Sequence, residues 1–117
     1  MTKTILIVED DKELLDLYVE ILQVNRYNVQ TAIDGEEAVS KYRQIHLDLV
    51  VMDMPKLDGY EAFSQIIKID KNAKVVTVIG YSEFEQKNKS SRARIGFCYF
   101  KTNWRDILLG LAKKYLN

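Results

Sequence analysis

The stretch "LDLVVMDMPKLDGYE", residues 47–61, sets the reading of the whole chain. A strongly apolar run over Leu47 to Met52 reads as a strand. It ends in an acid, Asp53, and the chain turns at once through Met54 and Pro55. A carboxylate at the tip of a buried strand is costly unless a cation or a set of donors meets it. The Asp58-Gly59 pair then opens an amphipathic helix expected to run to about Ile69. What would use Asp53 depends on what lies beside it.

Working outward, Thr4-Ile-Leu-Ile-Val8 is a short continuous run rich in β-branched residues, as expected of a strand buried on both faces. Lys12 to Asn25 carries Leu14, Leu15, Tyr18, Val19 and Leu22 at helical spacing. Tyr27 to Ala32 alternates like a strand. Asp34-Gly35 is a turn, and Glu36 to Gln44 is helical, with Ala38, Val39 and Tyr42 on one face. Beyond the central stretch, Lys74 to Ile79 is a fourth strand. Glu83 to Arg94 is expected to be a helix with a poor apolar stripe. Phe97 to Phe100 is a fifth strand, and Trp104 to Leu116 a last helix whose buried stripe is Trp104, Ile107, Leu108, Leu111, Ala112 and Tyr115. Strict alternation of this kind calls for an α/β fold: a parallel sheet, right-handed crossovers and helices on both faces.

Composition narrows the function. The 117 residues include 17 basic and 17 acidic ones, so net charge is zero. That argues against a dedicated nucleic-acid or polybasic membrane binder, and the basic run from Lys87 to Arg94 reads as a solvated face. The single cysteine, Cys98, excludes an internal disulfide framework and fits a reducing compartment, and Cys98 itself reads as a small buried apolar residue. The apolar run at the N-terminus is too short for a signal peptide or a span. One domain over residues 1–117, in the cytoplasm, is the expectation. His46, in a loop before a strand, reads as a surface histidine.

In open parallel sheets the working site lies beyond the C-terminal strand ends. Here those ends carry Glu9-Asp10-Asp11, Asp53, Ile79-Gly80-Tyr81-Ser82 and Lys101. Converging carboxylates repel one another unless a hard cation such as Mg²⁺ joins them. A lysine adds a compact charge suited to a phosphate oxygen. The set suits phosphoryl transfer onto an aspartate. Asp11, next to the first helix, reads as its N-cap. No Gly-rich phosphate loop follows the first strand, which argues against nucleotide binding. The D-x-D of aspartyl-phosphate hydrolases is missing too, since Asp53-Met54-Pro55 lacks the second acid.

"ILIVEDD", "LDLVVMD", the Asp58-Gly59 turn and the late Lys101 together resemble the receiver domain of two-component response regulators, over nearly the whole chain from Lys3 to Leu116. The resemblance implies a flavodoxin-like (βα)5 fold with strand order 2-1-3-4-5. It implies Asp53 as phospho-acceptor, Glu9 and Asp10 with Asp53 as Mg²⁺ ligands, Lys101 as the phosphate-contacting lysine, and a sensor histidine kinase or phosphotransfer protein as donor. The chain would then be a phosphoryl acceptor rather than an enzyme. Its output would be a switched surface around the 83–94 helix and the fifth strand, read by an output partner or a fused effector domain. No direct nucleic-acid or membrane contact is expected, and the chain is expected to be a monomer or weak dimer. It fits a free-standing regulator and a receiver within a longer protein equally well.

Four departures from the family pattern stand out. The loop after Asp53 is two residues short of D-x-x-hydrophobic-P-x-hydrophobic-D-G. By count the third protein contact to the metal, a backbone carbonyl, would be that of Pro55, in a loop whose carbonyls the shortening re-aims. Ile79 stands where the family has Thr or Ser, although the small Gly80 after it is kept. Lys101 is followed by Thr102 rather than Pro, so a trans bond is expected. The switch aromatic, three residues before the lysine, is replaced by Cys98, with Phe97 and Tyr99 on either side. Two readings follow. One is a working receiver. The other is a degenerate one, acting as a phosphorylation-independent interaction module. Glu9, Asp10, Asp53 and Lys101 favour the first; Ile79, Thr102 and the short loop favour the second. The working receiver is the expected outcome.

Overall fold

A computed structural model describes residues 2–53, 56–78, 95–98 and 104–116, with side chains at 2–52, 61–76 and 108–116. The strands are β1 (Thr4–Glu9), β2 (Asn28–Ala32), β3 (Leu49–Asp53) and β4 (Val75–Val78), all parallel where they pair. The backbone of β5 (Ile95–Cys98) runs beside β4, with Val75 opposite Ile95 and Val78 opposite Cys98. The spatial order is β2-β1-β3-β4-β5. The helices are α1 (Lys12–Val24), α2 (Gly35–Gln44), α3 (Lys56–Ile69) and α4 (Trp104–Leu116). The helix expected over 83–94 lies outside the described residues.

Strand alternation divides the core in two. Leu6, Val8, Val50, Met52 and Val75 face α2 and α3, where they meet Ala38, Val39, Ala62 and Ile66. Ile5, Ile7, Leu49, Val51 and Val76 face α1 and α4, where they meet Leu15, Tyr18, Leu22, Leu108 and Ala112. Ile5 through Val8 are wholly buried. That explains why β1 reads as an unbroken apolar run: both of its faces are covered.

Local chemistry sets the helix starts. Asp11 is the N-cap of α1, and its Oδ1 accepts from the N–H groups of Glu13 (3.0 Å) and Leu14 (3.3 Å). Asp34 caps α2 by accepting from Glu37 N–H at 2.7 Å. The far end of α1 is less regular: Arg26 follows the Asn25 cap with φ of 71°. A left-handed residue commonly ends a helix, but glycine is its usual occupant.

Two boundaries differ from the sequence reading. Helix α3 starts at Lys56, not at Asp58-Gly59, so that pair lies inside its first turn. An acid in a first turn is favoured by the helix dipole, and this offsets the poor helix propensity of Gly59. The fifth strand begins at Ile95 rather than at Phe97, and residues 99 and 100 of the expected strand lie outside the described residues. Pairing with β4 begins where β4 begins, and this recruits the β-branched Ile95.

Polar ties fix the sheet's lower edge and the α2–α3 layer. Asp48 Oδ2 accepts from Thr4 N–H at 2.8 Å, and Thr4 O accepts from Asp48 N–H at 2.8 Å. His46 Nε2 lies 3.0 Å from Asp48 Oδ1, on a ring that is exposed as expected. The Thr4 N–H bond holds the Asp48 carboxyl below the usual carboxylate range; partial burial opposes this and His46 assists it. On the α2–α3 side, Tyr42 OH donates to Asp70 Oδ2 at 2.8 Å. Burial, then that bond and the Asp70 charge, push the phenol well above its ordinary value.

Two outcomes test this account. Leu22→Ala removes a fully buried side chain and should lower unfolding free energy by about 2–5 kcal/mol in urea titrations. Because the folded Asp48 pKa is depressed, its contribution is present above the unfolded value and lost as pH falls through the folded one. Asp48→Asn should therefore cost about 1 kcal/mol near neutrality, with the gap to the parent closing below about pH 4. A gap independent of pH would overturn the assignment.

Candidate functional site

The parallel register of β1 and β3 sets Ile7 beside Val51, Val8 beside Met52 and Glu9 beside Asp53. Two apolar strands thus run to the same edge of the sheet and each closes on an acid. Glu9 is the one buried charged residue among those described, at 4% exposure. Its Oε2 accepts from Asp11 N–H at 3.0 Å. Asp11 therefore does two things: its side chain caps α1, and its backbone donates to the buried carboxylate. The first role is readable from the sequence. The second is not, because it depends on the bend of the chain between β1 and α1.

Asp10 is exposed beside this pair, in the turn that enters α1. The N-terminal end of α1 carries N–H groups and a positive dipole end, which favour negative charge at the strand tip. Glu9 and Asp10 thus stand where a hard cation would take carboxylate oxygens and keep the rest of its shell as water and phosphate. The donor set fits Mg²⁺ chemistry: oxygen only, anionic, half of it buried and half open to solvent. Among the described residues no group of three His, Cys, Asp or Glu is gathered closely enough to hold a metal by itself. The side chain of Asp53, the third acid of the expected set, lies outside the described residues.

For the other expected site residues, the positions are as follows. Asp53 is the last residue of β3. Lys56 begins α3, so Met54 and Pro55 alone connect them. The short connection read from the sequence is thus the full link between the strand and its helix. Thr77 pairs with Met52. Cys98 is the last residue of β5. Pro55, Ile79, Gly80, Tyr99 and Lys101 lie outside the described residues. The structure brings together Glu9, Asp10 and the backbone of Asp53. No helix among the described residues is long and apolar enough to cross a membrane.

Known proteins of similar sequence and fold identify the family. Residues 5–108 match the profile of the response regulator receiver domain. The chain is 39% identical over 79 residues to the chemotaxis protein CheY of Thermotoga maritima, an alignment covering 65% of this chain and 66% of that one. It is 31% identical over 100 residues to the polar-differentiation response regulator DivK of Brucella ovis, covering 84% and 80%. Among solved structures it resembles the response regulator TrrA of Thermotoga maritima in complex with Mg²⁺-BeF, at TM-score 0.84 and 34% identity, covering 98% of this chain and all of that one. The chain spans about two thirds of the length of the CheY relative. With the matched region running through β1, β3 and the acids that end them, the chain belongs to the response regulator receiver domain family of two-component signalling.

Proposed function

We propose that this chain is a working phospho-acceptor in which Asp53 receives a phosphoryl group from a phosphohistidine on a sensor kinase or phosphotransfer protein. The observation that carries the reading is the register of Glu9 against Asp53, with the Glu9 carboxylate buried at the tip of β1. An acid is not sequestered there for packing. It stands beside the acceptor position, on the side where open parallel sheets work.

In the reaction an Asp53 carboxylate oxygen attacks the phosphorus, the P–N bond to the donor histidine breaks, and the electron pair leaves with the imidazole nitrogen. The product is an acyl phosphate. Glu9 and Asp10, with Asp53 and a backbone carbonyl at Pro55, would hold Mg²⁺, which offsets the negative charge on the phosphoryl oxygens. The Mg²⁺-BeF complex of TrrA supports this assignment by likeness. By the family pattern, Lys101 would meet a phosphoryl oxygen. The chain accepts the group and signals with it; it is not an enzyme acting on a small substrate. The added charge then biases a protein-interaction surface near β5, read by an output partner or an attached effector. We place this exchange in the cytoplasm, where a single unpaired cysteine is at home.

The first test is direct. Incubation with acetyl phosphate and Mg²⁺ should add the mass of one phosphoryl group, and Asp53→Ala should abolish the gain. Glu9→Gln should slow it about tenfold or more through weaker metal binding, a loss that added Mg²⁺ partly restores. No gain in the parent, or a gain that survives Asp53→Ala, defeats the proposal.

The second test concerns coupling. Ile79 cannot donate the hydroxyl hydrogen bond that the family pattern supplies. Beryllofluoride should therefore move amide resonances around Asp53 strongly and those from Cys98 to Lys101 only slightly. Shifts of equal size in both places would show that coupling runs by a route other than position 79.

A further inference from the structure

We infer that Glu37 and Lys41 on α2 seal the free edge of β2 against pairing with the same edge of a second copy of this chain. Strand β2 is terminal in the sheet, paired with β1 on one side. Asn28 N–H donates to Lys3 O at 2.9 Å, so position 28 points its backbone groups inward, toward β1. Alternation then turns positions 30 and 32 inward and positions 29 and 31 outward, and this edge runs on into the bend at Ile33, just past the strand. An outward row of N–H and C=O groups is a template for another strand.

Two of those groups are taken by side chains of α2. Glu37 Oε1 accepts from Ile33 N–H at 2.8 Å. Lys41 Nζ donates to Thr31 O. The two side chains stand one helical turn apart, with Lys41 Nζ 3.9 Å from Glu37 Oε2. Lys41 reaches the edge at 26% side-chain exposure, its stem lying along the protein surface. The pair thus covers the C-terminal half of the edge with charge as well as with hydrogen bonds, and an incoming strand would have to break both bonds and strand both charges.

The risk being contained is visible beside them. Ile33 is an apolar side chain 58% exposed at the end of this edge. The strand itself, "NVQTA", carries no charge. Two identical edges meeting across a twofold axis would run antiparallel and match each outward group to its counterpart. The second copy is the occupant the geometry favours, because it is always present at the same concentration and brings the same uncharged strand.

The test has one arm on the parent protein and one on variants. In the parent, hydrogen exchange at the Ile33 amide should be slower by about tenfold or more than at the Thr31 amide. The Thr31 amide points outward from the strand, and Glu37 covers the amide just past the strand's end. Equal rates overturn the inference. Glu37→Ala with Lys41→Ala should shift the light-scattering mass toward a dimer at concentrations where the parent mass is constant. Adding Thr31→Pro should return the mass to the parent value, since the ring replaces an outward N–H and blocks pairing. A folded double variant whose mass matches the parent, or an association that Thr31→Pro leaves unchanged, defeats the proposal. Should the double variant not fold, the exchange rates of the parent decide.

Discussion

The register between β1 and β3 is the constraint on which the site depends. Both strands are buried on both faces, so a slip of one residue would drive each apolar side chain into the wrong layer. The core therefore holds the pairing, and the pairing holds Glu9 beside Asp53. The acids sit where they do because of Ile5 to Val8 and Leu49 to Met52, which have no chemistry of their own. Burial of Glu9 follows from the same alignment, and its bond to Asp11 N–H joins the strand tip to the first turn of α1.

The central sheet was legible because its signals were local and strong. "TILIV" and "LVVM" are short, β-branched and uninterrupted, and only a strand covered on both faces needs such a run. Asp11 announced the start of α1 through its side-chain chemistry and accepts the bonds expected of a cap, while Asp34, read only as part of a turn, caps α2 in the same way. Glu9 and Asp10 were read as candidate site residues because their strand ends where the acids begin. Assignment of β1 to β4 to one parallel sheet rested on alternation with helices, and the pairings show it.

What was misread depended on partners distant in the chain. The start of α3 was set at Asp58-Gly59 because that pair is a strong turn signal, yet a helix that must follow a strand after two residues has to begin earlier. The start of β5 was misjudged because Phe97 looks more strand-like than Ile95-Gly96, whereas β4 decides where pairing begins. The edge contacts of Glu37 and Lys41 had no signature beyond an ordinary helical charge pair. Only the proximity of α2 to the outer side of β2 gives them a second purpose.

The two-residue link from Asp53 to Lys56 carries a consequence of length. Three Cα steps extend at most about 10 Å, so the first residue of α3 cannot stand farther than that from Asp53. A link two residues longer would allow about 17 Å by the same rule. The shorter tether draws the electropositive end of a 14-residue helix toward the acid that ends β3. A helix end held this close supplies a fixed positive field at the strand tip. Such a field cannot be adjusted by a rotating peptide, and it favours negative charge at the tip of β3.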